Sequence, residues 1–202
     1  MTIVLLNLSG NVGKSTLAKH LLKPRIPSAR IYPVETINTD AFEEATIRAE
    51  SFRQILEAVA INEDAIVDVG ASNAEEFIRQ MAKYKGSHDD FGTFLVPTVP
   101  DPKALRDTAA TIAQLASIGV PPDRIHCVVN RVTNEAMLLE DIDGLMNFAQ
   151  QRKQFTFNPE IYVRENELFS YLQTATETVA ELAGNTTDFR AQIRSAESGR
   201  AN

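Results

Sequence analysis

Short runs of apolar and β-branched residues alternate along the chain with longer segments in which apolar side chains recur every three or four positions. The short runs predict strands, and the periodic segments predict amphipathic helices. The predicted strands cover residues 3–8, 30–34, 65–69, 93–97, 125–130 and 155–157, and the predicted helices cover residues 14–22, 42–61, 73–84, 102–118, 136–150 and 166–183. Asp101 and Pro102 are typical of a helix start, and Gly119 of a helix end.

The predicted strands are apolar throughout, which is typical of strands that are buried on both faces. Strands of this kind, separated by amphipathic helices, predict an α/β fold with three layers, in which helices flank a mainly parallel sheet. No linker is long or polar enough to divide the chain, so we expect a single domain over residues 1–184. Residues 185–202 are small and polar and are expected to form a flexible tail.

The amino-acid composition argues against several classes of protein. The chain has 202 residues and a formal net charge of −7, so strong direct binding to DNA, which depends on Lys and Arg, is not expected. Cys127 is the only cysteine, which excludes an internal disulfide and a multi-cysteine zinc site. No apolar run approaches the ~18 residues of a transmembrane segment, and no signal peptide is recognisable, so the expected location is the cytoplasm.

The most specific chemical signal lies between the first predicted strand and the first predicted helix. It reads Ser9-Gly10-Asn11-Val12-Gly13-Lys14-Ser15-Thr16 and predicts a phosphate-binding loop of the Walker A type. Glycines let backbone N–H groups approach phosphate oxygens, and the helix N-terminus adds its positive dipole end. Lys14 is predicted to reach the β- and γ-phosphates, and the Ser15 hydroxyl to bind Mg²⁺. Leu8 stands where the full pattern has a glycine, and the alternative is an ordinary strand–helix turn with a capping serine.

A phosphate loop of this type works with a magnesium-organising acid at the end of a second buried strand. Asp68 follows three apolar residues, Ala65-Ile66-Val67, and is the predicted acid. Gly70 allows a sharp bend after it that could respond to a γ-phosphate. The alternative is that Asp68 caps the next helix, although Ser72 and Asn73 are better placed for that in the sequence.

These segments resemble the ParA/MinD group of deviant-Walker ATPases. The resemblance rests on the loop, on Asp68-x-Gly70 and on Val128-Val129-Asn130-Arg131, and it covers residues 2–182. Within that group the N-terminus is most similar to the plasmid-encoded StbB and TraL proteins, which act in plasmid stability and conjugative transfer. The resemblance implies a P-loop NTPase fold, ATP with Mg²⁺ as cofactors and a homodimer that forms with nucleotide.

The resemblance also implies roles for single residues. Lys14 and Ser15 match the phosphate-binding lysine and the magnesium hydroxyl, Asp68 matches the second acid, and Asn130, with Arg131 beside it, matches the asparagine that reads adenine. Ligands of open α/β sheets bind at such strand ends, although Asn130 could equally just end its strand.

The chain departs from the group's pattern at several positions. The signature lysine of the group falls at Ser9 and a loop glycine at Asn11. The pair of aspartates after the second strand is replaced by Glu35 and Ile37. Asp40 could take the catalytic role, or it could cap the helix that follows. We therefore expect a weak ATPase that needs a partner for acceleration.

Other signals are weaker. Basic residues in and after the first predicted helix favour a solvated face that also balances the charge of a nucleotide: Lys14, Lys19, His20, Lys23, Arg25 and Arg30. Cys127 lies in an apolar strand and is expected in the core. Phe189 and Ile193 recur at helical spacing near the end, between arginines. This pattern favours a frayed or partner-docking tail over a membrane-targeting helix like that of MinD.

Three functional hypotheses follow from these residues. The first is an ATP-driven switch of the ParA/MinD type that positions a protein partner, such as a plasmid-encoded DNA-binding protein, because the acidic chain itself lacks a basic stripe. The second is a small-molecule kinase or an ATP-dependent ligase of the dethiobiotin-synthetase type, for which no acceptor cluster or lid is evident. The third is a scaffold that binds nucleotide without turnover, which Ser9 motivates.

Overall fold

The structure is a computed structural model that describes residues 1–34, 49–172, 175 and 177–200, with the backbone alone for residues 49–51 and 195–200. Its strands are β1 (Thr2–Leu5), β2 (Arg30–Val34), β3 (Ala65–Val69), β4 (Thr93–Thr98), β5 (Ile125–Val132) and β6 (Thr156–Arg164). Its helices are α1 (Lys14–Leu17), α2 (Ala49–Ile61), α3 (Ala71–Lys83), α4 (Pro102–Ser117), α5 (Leu138–Asp141), α6 (Asp143–Arg152), α7 (Leu168–Tyr171), α8 (Val179–Ala183) and α9 (Phe189–Arg200). A π-helical turn, Ala18–Leu22, continues α1.

The strands form one 6-stranded sheet in the order β2-β3-β1-β4-β5-β6, and every neighbouring pair is parallel. This confirms the predicted parallel sheet. β1 and β3 are buried along their whole length. Their unalternating apolar sequences follow from this position, because side chains on both faces of a central strand are covered.

Helices cover both faces of the sheet. Val4 of β1 and Val67 of β3 belong to a large core that includes side chains of α2, α3, α4 and α6. Leu5 and Ile66, the neighbours of these valines in the chain, belong to a second core with Leu17 of α1. Successive strand residues point to opposite faces, so this division places α1 on one side of the sheet and α4 on the other.

Several predicted helices have different bounds in the structure. The helix predicted over residues 136–150 is two helices, α5 and α6, that meet at Ile142, which is fully buried and has non-helical backbone angles. Gly144 weakens continuous helix at the same place. The helix predicted over residues 166–183 is also two, because Thr178 starts α8 with a capping box to Glu181. Of the helix predicted over residues 42–61, the structure describes α2; the remainder lies outside the described residues.

The largest correction concerns the last strand. The prediction of a strand over residues 155–157 was too short, because β6 runs to Arg164. Phe157 lies opposite Cys127 and Tyr162 opposite Val129, so the segment between Phe157 and Tyr162 bulges from the ladder. Asn158 and Pro159 interrupt the apolar pattern there, which hid the second half of the strand.

The end of the described chain is exposed. Residues 185–194, within the predicted tail, are all exposed and include the first half of α9. The domain boundary at residue 184 stays a prediction. Within the described parts of the chain, every helix is too short or too polar to cross a membrane.

Candidate functional site

A cleft of about 680 Å³ opens at the carboxyl edge of the sheet. Its inner wall consists of residues 10–16 after β1, residues 70–72 after β3, and Asn130 with Arg131 near the end of β5. Its outer wall consists of four residues after β6: Glu165, Asn166, Phe169 and Ser170. Carboxyl edges of open α/β sheets are the usual place for ligands, so the cleft is the candidate site.

The loop of the inner wall owes its shape to two residues with positive φ. Gly13, with φ 86°, leads directly into α1, and a Cβ atom there would lie 2.1 Å from Nδ2 of Asn130. Glycine is therefore required both by the backbone and by the close side chain. Asn11, where the ParA/MinD pattern has glycine, has φ 57°. Asparagine tolerates this left-handed conformation better than most residues, so the departure preserves the loop.

Lys14 lies buried over its own loop, with 7% of its surface exposed. Its Nζ donates hydrogen bonds to the carbonyl oxygen of Ser9 at 2.9 Å and to that of Asn7 at 3.3 Å. Burial lowers the pKa of Lys14, and the carboxylate of Asp68 opposes that shift. Burial removes the hydration of the Lys14 ammonium, and its bonds to two neutral carbonyls do not balance its charge. A phosphate anion that reached the ammonium would therefore bind favourably.

Asp68 is 7% exposed and lies on β3, opposite Leu5 of β1. The N-cap position of α3, which begins at Ala71, is occupied by Gly70, two residues after Asp68. The prediction that Ser72 and Asn73 are the better caps was wrong, because both lie inside α3 and Nδ2 of Asn73 donates to the carbonyl of Val34 at 3.1 Å. Asp68 is thus placed beside Lys14 and the loop.

The oxygen donors of the inner wall fit Mg²⁺ bound together with a phosphate. Ser15 lines the cleft with an exposed side chain, and Asp68 supplies a carboxylate on the adjacent strand. Mg²⁺ prefers oxygen ligands and commonly takes one or two from protein, with the rest from phosphate and water. In the described parts of the chain, no group of three or more His, Cys, Asp or Glu side chains could hold a metal by itself.

Asn130 joins β5 to the phosphate loop. Its Nδ2 donates to the carbonyl of Val12 at 3.0 Å, and its Oδ1 accepts the backbone N–H of Arg131 at 2.9 Å. Nδ2 carries two N–H groups, and the bond to Val12 uses one of them. The residue therefore supports the loop, and its role in reading adenine stays a prediction.

The outer wall was not predicted from the sequence. Its residues follow the part of β6 that the sequence pattern hid. Arg131 reaches it through an ion pair of 3.1 Å with Glu165, in which the two side chains are 54% and 45% exposed. Phe169 also approaches the helix after the loop, because its ring centre lies 6.4 Å from that of His20.

A buried polar cluster behind the loop was missed as well. Asn7, Thr98, Thr108 and Thr111 are all fully buried, and Oγ1 of Thr108 accepts from Nδ2 of Asn7 and donates to Oγ1 of Thr98. The signal was present as an asparagine at the end of an apolar strand and as two threonines in an otherwise apolar helical stripe.

The other predicted residues have mixed outcomes. Glu35, Ile37 and Asp40 lie outside the described residues. Two lysines of the predicted basic face donate to backbone carbonyls. Lys19 donates to Ala175, and Lys23 donates to Pro27 and Ala29, so both side chains also fix the position of neighbouring backbone segments. Cys127 is buried as predicted, and burial raises the pKa of its thiol.

No protein-family model and no curated protein sequence matches the chain. Solved structures do match. They include MinD from Aquifex aeolicus, with 14% identity, 84% of each chain covered and a TM-score of 0.53. An ATP complex of a McdA variant from Cyanothece has 13% identity, covers 90% of this chain and 89% of its own, and has a TM-score of 0.54. A putative plasmid partition protein from Borrelia burgdorferi, bound to AMPPNP, has 11% identity, 85% and 87% coverage and a TM-score of 0.54.

At this level of identity the likeness shows the fold alone. The chain has the fold of MinD- and ParA-type P-loop ATPases, with a six-stranded parallel sheet between two layers of helices. The predicted fold class is thereby confirmed.

Proposed function

We propose that the protein binds ATP with Mg²⁺ in the cleft and acts as a nucleotide-dependent switch of the ParA/MinD type. One observation carries the proposal: the buried Lys14 lies over a loop at the start of α1, beside Asp68 on the adjacent strand. Together these groups offer a cation and backbone N–H donors in the cleft lining, with a carboxylate buried beside the cation. Triphosphates with Mg²⁺ match this arrangement because they bring negative charge and a cation together.

We assign proposed roles to the residues in and directly behind the inner wall. Lys14 exchanges its bonds to the carbonyls of Asn7 and Ser9 for bonds to phosphate oxygens. Backbone N–H groups of residues 10–16 and the positive end of α1 bind the same phosphates. Ser15 and Asp68 hold Mg²⁺, which supplies charge neutralisation to the phosphates. Asn130 and Arg131, near the end of β5, are the proposed contacts of the base.

We expect slow hydrolysis. Ser9 occupies the position of the signature lysine in the resembled group. A hydroxyl cannot neutralise developing phosphate charge as an ammonium does. Asp40 remains the proposed group for positioning the attacking water.

The kind of protein partner is inferred from proteins that share this fold. Neighbours of known structure include a MinC:MinD complex from Aquifex aeolicus, with 15% identity and a TM-score of 0.51, and the plasmid partition protein from Borrelia burgdorferi. We propose that this chain likewise positions a protein partner, such as a plasmid-encoded DNA-binding protein in plasmid stability or conjugative transfer, as in the StbB and TraL proteins. We also propose a homodimer that forms with nucleotide, and cytoplasmic location.

Calorimetric titration of the full chain with ATP and with ADP, each with Mg²⁺, tests the proposal. We expect binding of both nucleotides, tighter with Mg²⁺ than with EDTA. Binding of neither nucleotide would overturn it. Light scattering after size exclusion, with and without ATP, tests the dimer, and pull-downs from cells carrying the neighbouring genes, with and without ATP, test the partner.

Turnover assays separate the alternatives. Slow release of phosphate over multiple turnovers, lost in Lys14→Ala, supports a weak ATPase and excludes a scaffold without turnover. Transfer of radiolabel from ATP to a small acceptor would favour a kinase or ligase instead.

A further inference from the structure

Three consecutive residues at the start of the phosphate loop contact one face of α4. Nδ2 of Asn7 donates to Oγ1 of Thr108 at 2.7 Å, and the backbone N–H of Leu8 donates to Oγ1 of Thr111 at 3.1 Å. Ser9, the next residue, lies near the carboxylate of Asp107 on the same helix. The polar side chains on this face of α4 thus face the segment that leads from β1 into the phosphate loop.

Asn7 is the centre of this contact. Its side chain is fully buried, and Nδ2 also donates to the carbonyl of Pro97 at 2.8 Å. Its Oδ1 accepts the backbone N–H of Ser9 at 2.8 Å and lies 3.3 Å from Oγ1 of Thr111. A buried amide with all these partners has a single orientation, because turning it would leave several polar groups unpaired.

Two residues of this segment, Asn7 and Ser9, also hold Lys14 through their backbone. The carbonyl oxygens of Asn7 and Ser9 accept the bonds from Nζ. The Asn7 side chain bonds in turn to Thr108 on α4 and accepts the backbone N–H of Ser9. The direction of these carbonyls therefore depends on how α4 holds the loop. This geometry decides where the Lys14 ammonium lies before a phosphate arrives.

We propose that Asn7, Thr108 and Thr111 are positioning residues that hold the phosphate loop open and keep Lys14 aimed into the cleft. They act through the backbone of the loop and need not touch a ligand. The expected effect of these residues on nucleotide affinity rests on the proposed function. Their expected effect on the conformation of the loop backbone does not.

Thr111→Val and Thr108→Val test it, because valine keeps the side-chain shape and removes the hydroxyl. The matched control is Ser117→Ala, which removes a hydroxyl from the last turn of the same helix, where Oγ donates to the carbonyl of Gln114. The first measurement is amide hydrogen exchange of the nucleotide-free protein. We expect Thr111→Val to speed exchange at Leu8 and Ser9 by at least ~10-fold, with β5 and the Ser117→Ala control unchanged.

Exchange at Leu8 and Ser9 that matches the wild type in both threonine variants would overturn the proposal. Acceleration spread equally over the loop and β5 would also overturn it, because the threonines would then stabilise the whole domain and not the loop.

The second measurement is the Kd for ATP with Mg²⁺, well below the unfolding temperature. We expect a ~10-fold increase in each threonine variant and none in Ser117→Ala. If the wild type binds no nucleotide while loop exchange still rises in the variants, the proposed function fails and the positioning role stands. If all variants bind as the wild type does and exchange is unchanged, the positioning role fails alone.

Discussion

Lys14 and Asn130 of the inner wall, and Asp68 behind it, have buried side chains, whereas most of the outer wall is exposed and is joined to Arg131 by an ion pair. Lys14, Asp68 and Asn130 are at most 7% exposed. Arg131 and Glu165, which join the two walls, are about half exposed. Exposed ion pairs contribute little to stability, about 0–1 kcal/mol, while buried charge-assisted bonds contribute about 1.5–3 kcal/mol. Changes to the inner wall should therefore abolish binding, and changes to the outer wall should only adjust it.

Removal of the Lys14 ammonium gives the largest expected effect. Lys14→Ala should weaken binding of ATP with Mg²⁺ by about 100-fold, or about 3 kcal/mol, because several charge-assisted bonds are lost. The fold should persist, since burial of the ammonium is itself unfavourable. Calorimetry measures the affinity and thermal unfolding checks the fold. Lys103→Ala, an exposed lysine on α4 paired with Asp107, is the control, and equal affinity in both variants would contradict the inner wall as the phosphate site.

Alanine at two glycines separates backbone strain from close packing. Gly13 and Gly86 have nearly equal positive φ, 86° and 87°, but only Gly13 has a neighbouring side chain where a Cβ would lie. Gly86→Ala should lower the free energy of unfolding by about 1 kcal/mol and Gly13→Ala by about 3 kcal/mol. Urea denaturation measures both. Equal losses would mean that Asn130 does not hold the loop closely.

Truncation of the outer wall should have a moderate effect. Phe169→Ala removes apolar surface from the cleft and should weaken nucleotide binding about 3- to 10-fold, with little change in unfolding. Tyr171→Ala, on the same helix but outside the cleft lining, is the control. A loss as large as that of Lys14→Ala would erase the contrast between the two walls.

The smallest expected effect is the pH dependence of stability from His20, whose ring centre lies 6.4 Å from that of Phe169 in the outer wall. Its Nδ1 is buried and has no hydrogen-bond partner among the described residues, and burial, with the nearby Lys19 charge, lowers the pKa of His20. Between that lowered pKa and the ordinary pKa of 6.5 for a histidine in the unfolded chain, the unfolded chain binds more protons, so stability falls as pH falls through this window. Denaturant unfolding at several pH values should show the stability of the wild type falling relative to His20→Gln on acidification. A constant difference between the two proteins would contradict the prediction.

The spacing of apolar residues and the capping residues in the sequence correctly predicted those strands and helix ends that depend on neighbouring residues. The bounds of β2 and β3 agree with the predicted ones, and Asp101 caps α4 as predicted by accepting the N–H groups of Lys103 and Ala104. Failures occurred where tertiary contacts overrule the pattern. β6 continues through polar residues because β5 offers its edge, and α1 gives way to a π-helical turn after Leu17.

The sequence by itself determined the fold class, because buried parallel strands need unbroken apolar runs, and it predicted the phosphate loop, because such a loop needs glycine at a set distance from its lysine. Only the tertiary structure decided which distant residues support and enclose that loop. Asn7 meets Thr108 and Thr111 across about a hundred residues of chain, and Phe169 reaches the cleft from still farther along it. Hydrogen bonds and packing of this kind depend on proximity in space, which no local spacing encodes.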